Sequence, residues 1–397
     1  MFRLLSVLLL VFIGNSYGRP VKTLSISSAN NRLTLNLLQQ LYNEENNVFF
    51  SPFSISTAFG MLFNGAKDKS AQELSEVLGY NFGHLSNDGI NEEFATVLRQ
   101  MQDIDQNKYQ LNVANKLVAQ QSFQILQTFR DDLQKYFQTD IESTDFIQNG
   151  KAAMDAINEW VRHQTHDMIQ KLLDQPLSQS TRLVLLNAFY FKGIWKTKFL
   201  KNETHEEVFF NKGITEMKTQ MMSRVGNFNF TQIPELDSSL LELPYSEEDM
   251  SLYIVLPNQR QGLKRLTTDL TDFAVIEKSI THLREVKVHV TIPKFKIETS
   301  YSLNKPLMAL GMKQIFTPEA DLSRIDGKKD LYVSEVLHKA VIEVNEEGSE
   351  AAAVTGIVIE VKSVIQDIYF RADHPFVFFI RDNRNGMILF SGHINKF

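Results

Sequence analysis

Leu183-Val-Leu-Leu-Asn-Ala-Phe-Tyr-Phe191 is an almost unbroken apolar run. A strand that is apolar on both faces must be covered on both. The chain therefore needs a central sheet with layers above and below it. Val286, Val288, Val290 and Ile292 alternate with Lys287, His289 and Thr291, which predicts a strand buried on one face. Leu252 to Leu256, Phe376 to Ile380 and Met387 to Phe390 read as further strands. Helical spacing places Leu33, Leu37, Leu38 and Leu41 on one face of residues 31–42. It does the same for Ile55, Ala58, Phe59 and Leu62 in 54–63, just after Ser51-Pro52. Phe129, Leu133 and Tyr136 mark a helix over 123–137, and Met154, Ile157, Trp160 and Val161 one over 151–164. No Pro/Gly/Ser-rich stretch, block of like charge or internal repeat divides the chain. The pattern predicts one large α+β domain, helices early and sheet later.

Several function classes are excluded by composition. At 397 residues with 43% hydrophobic content, the chain can bury a core without covalent staples. It has no cysteine, so disulfides, cysteine catalysis and thiolate metal sites are out. A net charge of −6 argues against a nucleic-acid binder. There is no Gly-x-Ser-x-Gly, no phosphate-binding glycine loop and no His-Glu-x-x-His, so enzyme activity is not expected. His163 and His166 stand three apart on a predicted helix without an acidic partner nearby. They read as solvated polar groups, and no metal or cofactor is expected. Lys192, Lys196, Lys198 and Lys201, and separately Arg260, Lys264 and Arg265, form loose basic clusters. Solvated surface is the preferred reading, with weak polyanion binding the alternative.

Arg3, the apolar run Leu4 to Ile13, and Ser16-Tyr17-Gly18 together predict a secretory signal, residues 1–18, cut near Gly18. An anchor is the poorer reading, since ten apolar residues span about 15 Å as helix, half a bilayer core. Residues 19–397 are then expected to be extracellular, with no membrane partner. The triplets Asn202-Glu203-Thr204 and Asn229-Phe230-Thr231 are candidate glycosylation sites that fit a secreted surface.

One segment is unlike the rest. After a predicted strand, Ala340 to Val344, come Asn345-Glu346-Glu347-Gly348 and Ser349-Glu350-Ala351-Ala352-Ala353-Val354-Thr355-Gly356. Ile357-Val358-Ile359-Glu360-Val361-Lys362-Ser363 follow. A core helix would carry larger residues at helical spacing, and a plain loop would be shorter and more polar. Small and β-branched residues suit a strand entering a crowded sheet. The segment ends in Lys-Ser, a bond a trypsin-like protease cuts.

At these residues the chain resembles the serpins. Asn47-Val-Phe-Phe-Ser51-Pro52-Phe-Ser54-Ile-Ser56 is similar to the serpin entry into its second helix. Asn187-Ala-Phe-Tyr-Phe-Lys-Gly193-Ile-Trp195 is similar to its central strand. His338-Lys-Ala-Val-Ile-Glu-Val-Asn-Glu-Glu-Gly348 resembles the strand that leads into the reactive loop. Phe370-Arg-Ala-Asp373-His374-Pro375-Phe376 resembles the C-terminal signature, and the four motifs stand in family order along the whole chain after residue 18.

The resemblance implies a fold and a mechanism. The fold is a single α+β domain, 19–397, of three β-sheets and eight or nine helices, with an exposed reactive-centre loop at about 346–367. The mechanism is suicide inhibition: a protease attacks one loop bond, and the loop inserts into the large sheet with the acyl-enzyme attached. Inserting residues alternate inward and outward. Ser349, Ala351, Ala353 and Thr355 form one set, Glu350, Ala352, Val354 and Gly356 the other, which is the inhibitory hinge pattern. Counting fifteen from Gly348 places the reactive bond at Lys362-Ser363, for a trypsin-like serine protease. Cuts at Val361 or Glu360 would suit other proteases, and a non-inhibitory carrier or storage serpin is the other alternative. Ser54, Ser56, Asn187 and His338 match the family's buried shutter cluster, and Trp195 matches the tryptophan where the loop first enters. Glu346 is expected to make an exposed ion pair with Lys294. The stretch matching the family's heparin helix, Ser86 to Met101, carries Asp88, Glu92 and Glu93 against Arg99, so glycosaminoglycan binding there is not expected. A monomer is expected.

Overall fold

The apolar run becomes the middle strand of a sheet in the computed structural model, which describes residues 25–81, 85–103, 105, 108–347 and 367–397. In chain order the strands are β1 Val48–Phe50, β2 Tyr109–Gln120, β3 Ile141–Thr144, β4 Leu183–Gly193, β5 Thr204–Asn211, β6 Thr215–Ile233 and β7 Ser238–Pro244. They continue with β8 Met250–Pro257, β9 Arg284–Pro293, β10 Phe295–Ser302, β11 Val333–Val344, β12 Ile368–Arg371, β13 Phe376–Asp382 and β14 Ile388–Ile394. The helices used below are α1 Ser25–Leu41, α2 Pro52–Gly65, α3 Asp68–Val77, α4 Asn87–Gln102, α5 Gln127–Asp132 and α6 Gly150–Gln164.

Five strands form one sheet in the order β10-β11-β4-β2-β3. Its pairs β11/β4 and β2/β3 are parallel, the others antiparallel. The two faces of β4 explain why its sequence is apolar throughout. Leu183, Leu185, Phe189 and Phe191 join the main core. Val184, Leu186, Ala188 and Tyr190 face a second core, closed by Ala153, Ile157 and Val161 of α6. Helix α2 lies on the main-core side, with every residue buried except Asn64. Pro52 occupies its first turn, and the Ser51 hydroxyl accepts the Ser54 N–H to cap it. Phe49 then stacks on Phe390 at 5.2 Å, and Phe53 packs edge-on to Phe189 at 6.4 Å.

The other nine strands form a second sheet, β1-β14-β13-β8-β7-β6-β9-β12, with β5 also on β6. Two of the expected three sheets share this ladder through one long strand. Strand β6 runs 19 residues and pairs with β5 through its first part, β9 through its middle and β7 at its end, joining two sheets into one ladder. The described residues hold ten α-helical segments, against the expected eight or nine, because short pieces such as Ser323–Asp326 count separately. The helix predicted over 123–137 begins only at Gln127 and ends in one π-helical turn, Leu133–Phe137. Gln138, with a left-handed φ of 54°, stops it. Nor are all helices early, since four lie between Leu263 and Asp326, and β2 was hidden by its interleaved polar residues.

Candidate functional site

The β4–β11 seam carries a polar row. Strand register sets Tyr301, His338, Asn187 and Asn115 side by side across β10, β11, β4 and β2. Asn187 Nδ2 donates to Asn115 Oδ1 at 2.6 Å and to the Ser54 hydroxyl. Ser54 Oγ in turn donates to Asn115 Oδ1 at 2.7 Å. His338 Nε2 accepts the Ser51 backbone N–H at 3.1 Å, so its proton sits on Nδ1 and is donated to Asn187 Oδ1. Burial pushes the His338 imidazole down to about 3, so the ring is neutral. Ser51 Oγ donates to the Leu389 carbonyl at 2.8 Å, which fastens the cap of α2 to β14.

Ser54, Asn187 and His338 thus meet, while Ser56 stands apart, its buried hydroxyl without a hydrogen-bond partner among the described residues. Sequence reading missed Asn115 and the Ser51 N–H. Asn115 could have been found only through the β2–β4 register, because nothing local marks it.

The upper end of the seam is held differently. Gly193 ends β4 where a Cβ would come within 2.4 Å of the Tyr245 ring, so only glycine passes. Trp195, 2% exposed, stacks on Tyr245 with ring centres 4.5 Å apart. Its indole N–H donates to the Asn345 carbonyl at 2.7 Å, and its backbone N–H to the Glu347 carbonyl at 3.2 Å. Lys192 of β4 reaches across the seam to Glu347 at 2.7 Å and Glu343 at 3.4 Å. Burial works against the Lys192 charge, but the Glu347 hydrogen bond and the charges of both acids hold its pKa above the usual lysine value.

Lys294 meets Glu346 at 2.8 Å, the partner expected. The pair is not exposed, however: Glu346 is buried and Lys294 half out. Burial alone would raise the Glu346 pKa; the Lys294 hydrogen bond outweighs it and holds the group below the ordinary glutamate value.

The hinge residues Gly348, Ser349, Glu350, Ala351, Ala352, Ala353, Val354 and Thr355, and the bond candidates Glu360, Val361, Lys362 and Ser363, lie outside the described residues, as does the signal segment 1–18. The two sequons sit in unlike places. Asn202 is exposed in the turn Lys201–Glu203. Asn229 lies in β6 between β7 and β9, and its amide nitrogen donates to Glu242 at 2.9 Å. The basic clusters are partly neutralised. Lys196 pairs with Glu248 at 2.6 Å, Lys264 with Glu44 at 2.7 Å and Arg265 with Asp269 at 3.3 Å, while Arg260 lies over the Phe210 ring. His166 Nδ1 lies 3.1 Å from Asn112 Oδ1, and His163 is exposed.

Comparison with known proteins gives a consistent result. The family model described as Serpin (serine protease inhibitor) matches residues 28–397. Iripin-2 of Ixodes ricinus is 42% identical, covering 94% of this chain and 93% of that protein. Serpin B4 of Homo sapiens is 39% identical, covering 94% and 99%. Intracellular coagulation inhibitor 2 of Tachypleus tridentatus is 39% identical, covering 94% and 91%. Among solved structures, maspin superposes with a TM-score of 0.86 at 27% identity, covering 94% of this chain and 98% of that one. Uncleaved ovalbumin gives 0.83 at 27% identity, covering 94% and 99%.

Proposed function

The chain belongs to the serpin family, and on that premise we propose that it is a suicide-substrate inhibitor of trypsin-like serine proteases, cleaved at Lys362-Ser363. The carrying observation is the seam. β4 and β11 are parallel, directly paired from Val333↔Leu183 to Ile342↔Phe191, and crossed by a row of neutral polar groups. A strand entering there would extend a five-stranded sheet to six. Asn187, His338, Ser54 and Asn115 can then exchange partners where an apolar seam would leave voids. The segment that leaves the top of β11 supplies an alternating set of small residues, Ser349, Ala351, Ala353 and Thr355, for that entry.

In the reaction, the protease serine attacks the Lys362 carbonyl. The Ser363 amine leaves with a proton as a new N-terminus, and an ester joins Lys362 to the protease. Insertion of 348–362, about 50 Å long as a strand, then carries the ester to the far end of the sheet before water cleaves it. The direct test is to mix the protein with trypsin and run a denaturing gel, with mass analysis of the released peptide. A denaturant-resistant complex and a peptide beginning at Ser363 are expected. Cleavage without a complex would overturn inhibition and favour a carrier or storage role. A peptide beginning at Lys362 or at Val361 would place the cut after Val361 or after Glu360 and move the specificity.

We assign the domain to 19–397 and secretion to the apolar run Leu4 to Ile13 with Ser16-Tyr17-Gly18. Two relatives' names contain the word intracellular, so the test is expression in a secreting cell. A mature N-terminus near Arg19 in the medium is expected, and retention of Met1 inside the cell would reverse the assignment. Asn202 is the better glycan acceptor, since its amide stands in an exposed turn. The protein is read as a monomer that binds glycosaminoglycan weakly at most.

A further inference from the structure

At the end of the five-stranded sheet opposite Trp195, three strands start or stop together. β2 ends at Gln120, β4 begins at Leu183 and β11 at Val333, since β2 runs antiparallel to β4 and β11 parallel to it. The residues just beyond these ends enclose a cavity of about 230 Å³. One wall is the turn Ser122-Phe123-Gln124 that follows β2. Arg182 stands before β4, and Asp326, Lys328 and Asp330 come from the approach to β11.

Four charged side chains, two of each sign, thus line one small space without neutralising one another. Among the described residues none of the four forms an ion pair, although the adjacent Lys329 meets Asp321 at 2.5 Å. Arg182 is fixed by its backbone, whose N–H donates to Ser334 Oγ at 2.9 Å and whose carbonyl accepts the Gln120 N–H at 2.8 Å. Its guanidinium lies over the Phe123 ring, 5.9 Å from the centre.

Asp326 carries the sharper mismatch, for it is only 7% exposed. Its Oδ1 accepts the Lys328 backbone N–H at 2.9 Å, but its buried Oδ2 has no hydrogen-bond partner among the described residues. Burial pushes the Asp326 carboxyl up; the Lys328 N–H opposes this, and the neighbouring Asp330 charge adds to the rise. A buried carboxylate oxygen left without a donor is costly. The position calls for a donor from outside the chain.

Charge decides what fits. A bare cation would answer Asp326 and Asp330 but meet Arg182 and Lys328, and a bare anion would do the reverse. A molecule carrying both an ammonium and a carboxylate answers both pairs. The ammonium brings three donors, one of them for Asp326 Oδ2, and the carboxylate matches the guanidinium fork. Size narrows the choice further. The cavity is smaller than the roughly 300–1,000 Å³ of sites for drug-sized ligands, so a single small molecule suits it.

We propose that this cavity binds a free α-amino acid, its ammonium on Asp326 and Asp330 and its carboxylate on Arg182 and Lys328. The occupant bridges the start of β4 to the approach to β11 and stabilises the native sheet by mass action. Binding there does not depend on the reactive bond.

The test is calorimetric titration of the full-length protein with L-alanine at constant ionic strength, paired with thermal unfolding. L-Alanine should bind saturably, one per chain, and raise the thermal midpoint. Acetate and ethylammonium, each offering one of the two charges, should bind at least about tenfold more weakly. Arg182→Gln and Asp330→Asn should each weaken L-alanine at least about tenfold, with the ligand-free midpoint unchanged. Lys328→Gln, at a fully exposed position, repeats the test from the second cation should Arg182→Gln lower that midpoint. No saturable binding of L-alanine overturns the proposal. Acetate binding as tightly as L-alanine would mark a plain anion site, and ethylammonium or magnesium doing so a plain cation site; either result overturns it. L-Alanine binding unchanged in every variant would place the ligand elsewhere on the chain and overturn the assignment to this cavity.

Discussion

Two inter-strand seams of this molecule are built on opposite principles. In the large sheet, β8 and β13 are antiparallel, and Val255, Ile254, Tyr253 and Leu252 face Val377, Phe378, Phe379 and Ile380. Both strands are buried along their whole length. Parting them would expose apolar surface with nothing to replace it. In the smaller sheet, the β4–β11 seam is parallel and puts Asn187 opposite His338 in its middle and Lys192 against Glu343 and Glu347 at its top. Hydrogen bonds and ion pairs can be re-formed with a new partner, whereas a well-packed apolar contact that is lost leaves a cavity. If the sheet accepts another strand, as proposed above, it gains from having its polar groups at the seam that opens.

The largest expected effects set the two seams directly against each other. Leu252→Ala in the apolar seam should cost about 2–5 kcal/mol in urea unfolding, with the product remaining monomeric on gel filtration. Asn187→Ala strips partners from His338, Ser54 and Asn115 and should cost about 3 kcal/mol, given about 1–3 kcal/mol per unsatisfied buried group. This variant should also form oligomers on mild heating, and a monomeric, heat-stable Asn187→Ala would dissolve the contrast.

A smaller effect sharpens it through pH. Burial holds His338 at about 3 and His393 at about 4, while an unfolded histidine titrates near 6.5. Below about pH 6.5 the unfolded chain binds protons that the folded chain refuses, so stability is complete above that value and is lost as pH falls. Each histidine contributes at most about 1.4 kcal/mol per pH unit. The thermal midpoint should drop from pH 7 to pH 5 less steeply in His338→Gln than in the parent. Equal slopes would mean that the polar row does not carry the acid sensitivity.

Smaller still is the clasp at the top of the seam. Lys192→Ala should cost no more than about 1 kcal/mol, because its partners are partly solvated. The loss should shrink further in high salt. A salt-independent loss of several kcal/mol would mark the pair as a buried one. Last, on expression in a secreting cell, Asn202→Gln should remove one glycan mass and Asn229→Gln none, since the Asn229 amide is engaged by Glu242.

What the sequence displayed depended on how far its cause extended along the chain. The run from Leu183 to Phe191 was legible because burial on both faces leaves no polar position to blur the pattern. The helix after Ser51-Pro52 was legible because a cap and a first-turn proline mark its start locally. Asn115 was not, because its role comes from lying opposite Asn187 on a strand 72 residues away. The burial of Glu346 was hidden for the same reason: charge predicted its partner Lys294, but tertiary packing decides how deeply the pair sits. The nineteen residues of β6 concealed a merger of two sheets, since a strand's length does not say how many partners it serves.

The position of Trp195 gives the molecule an optical gauge. The chain holds two tryptophans. Trp160 rests under the Lys116 ammonium, 4.4 Å from its ring, on the outer helix α6. Trp195 is sealed against Tyr245 and bonded to the Asn345 carbonyl, at the spot where the last described residues before the loop leave the sheet. Any strand passing into the seam must disturb that indole before anything else. Under the insertion proposed above, the colour and intensity of its emission would time the first instant of entry, and Trp160→Phe leaves that signal as the sole tryptophan light in the chain.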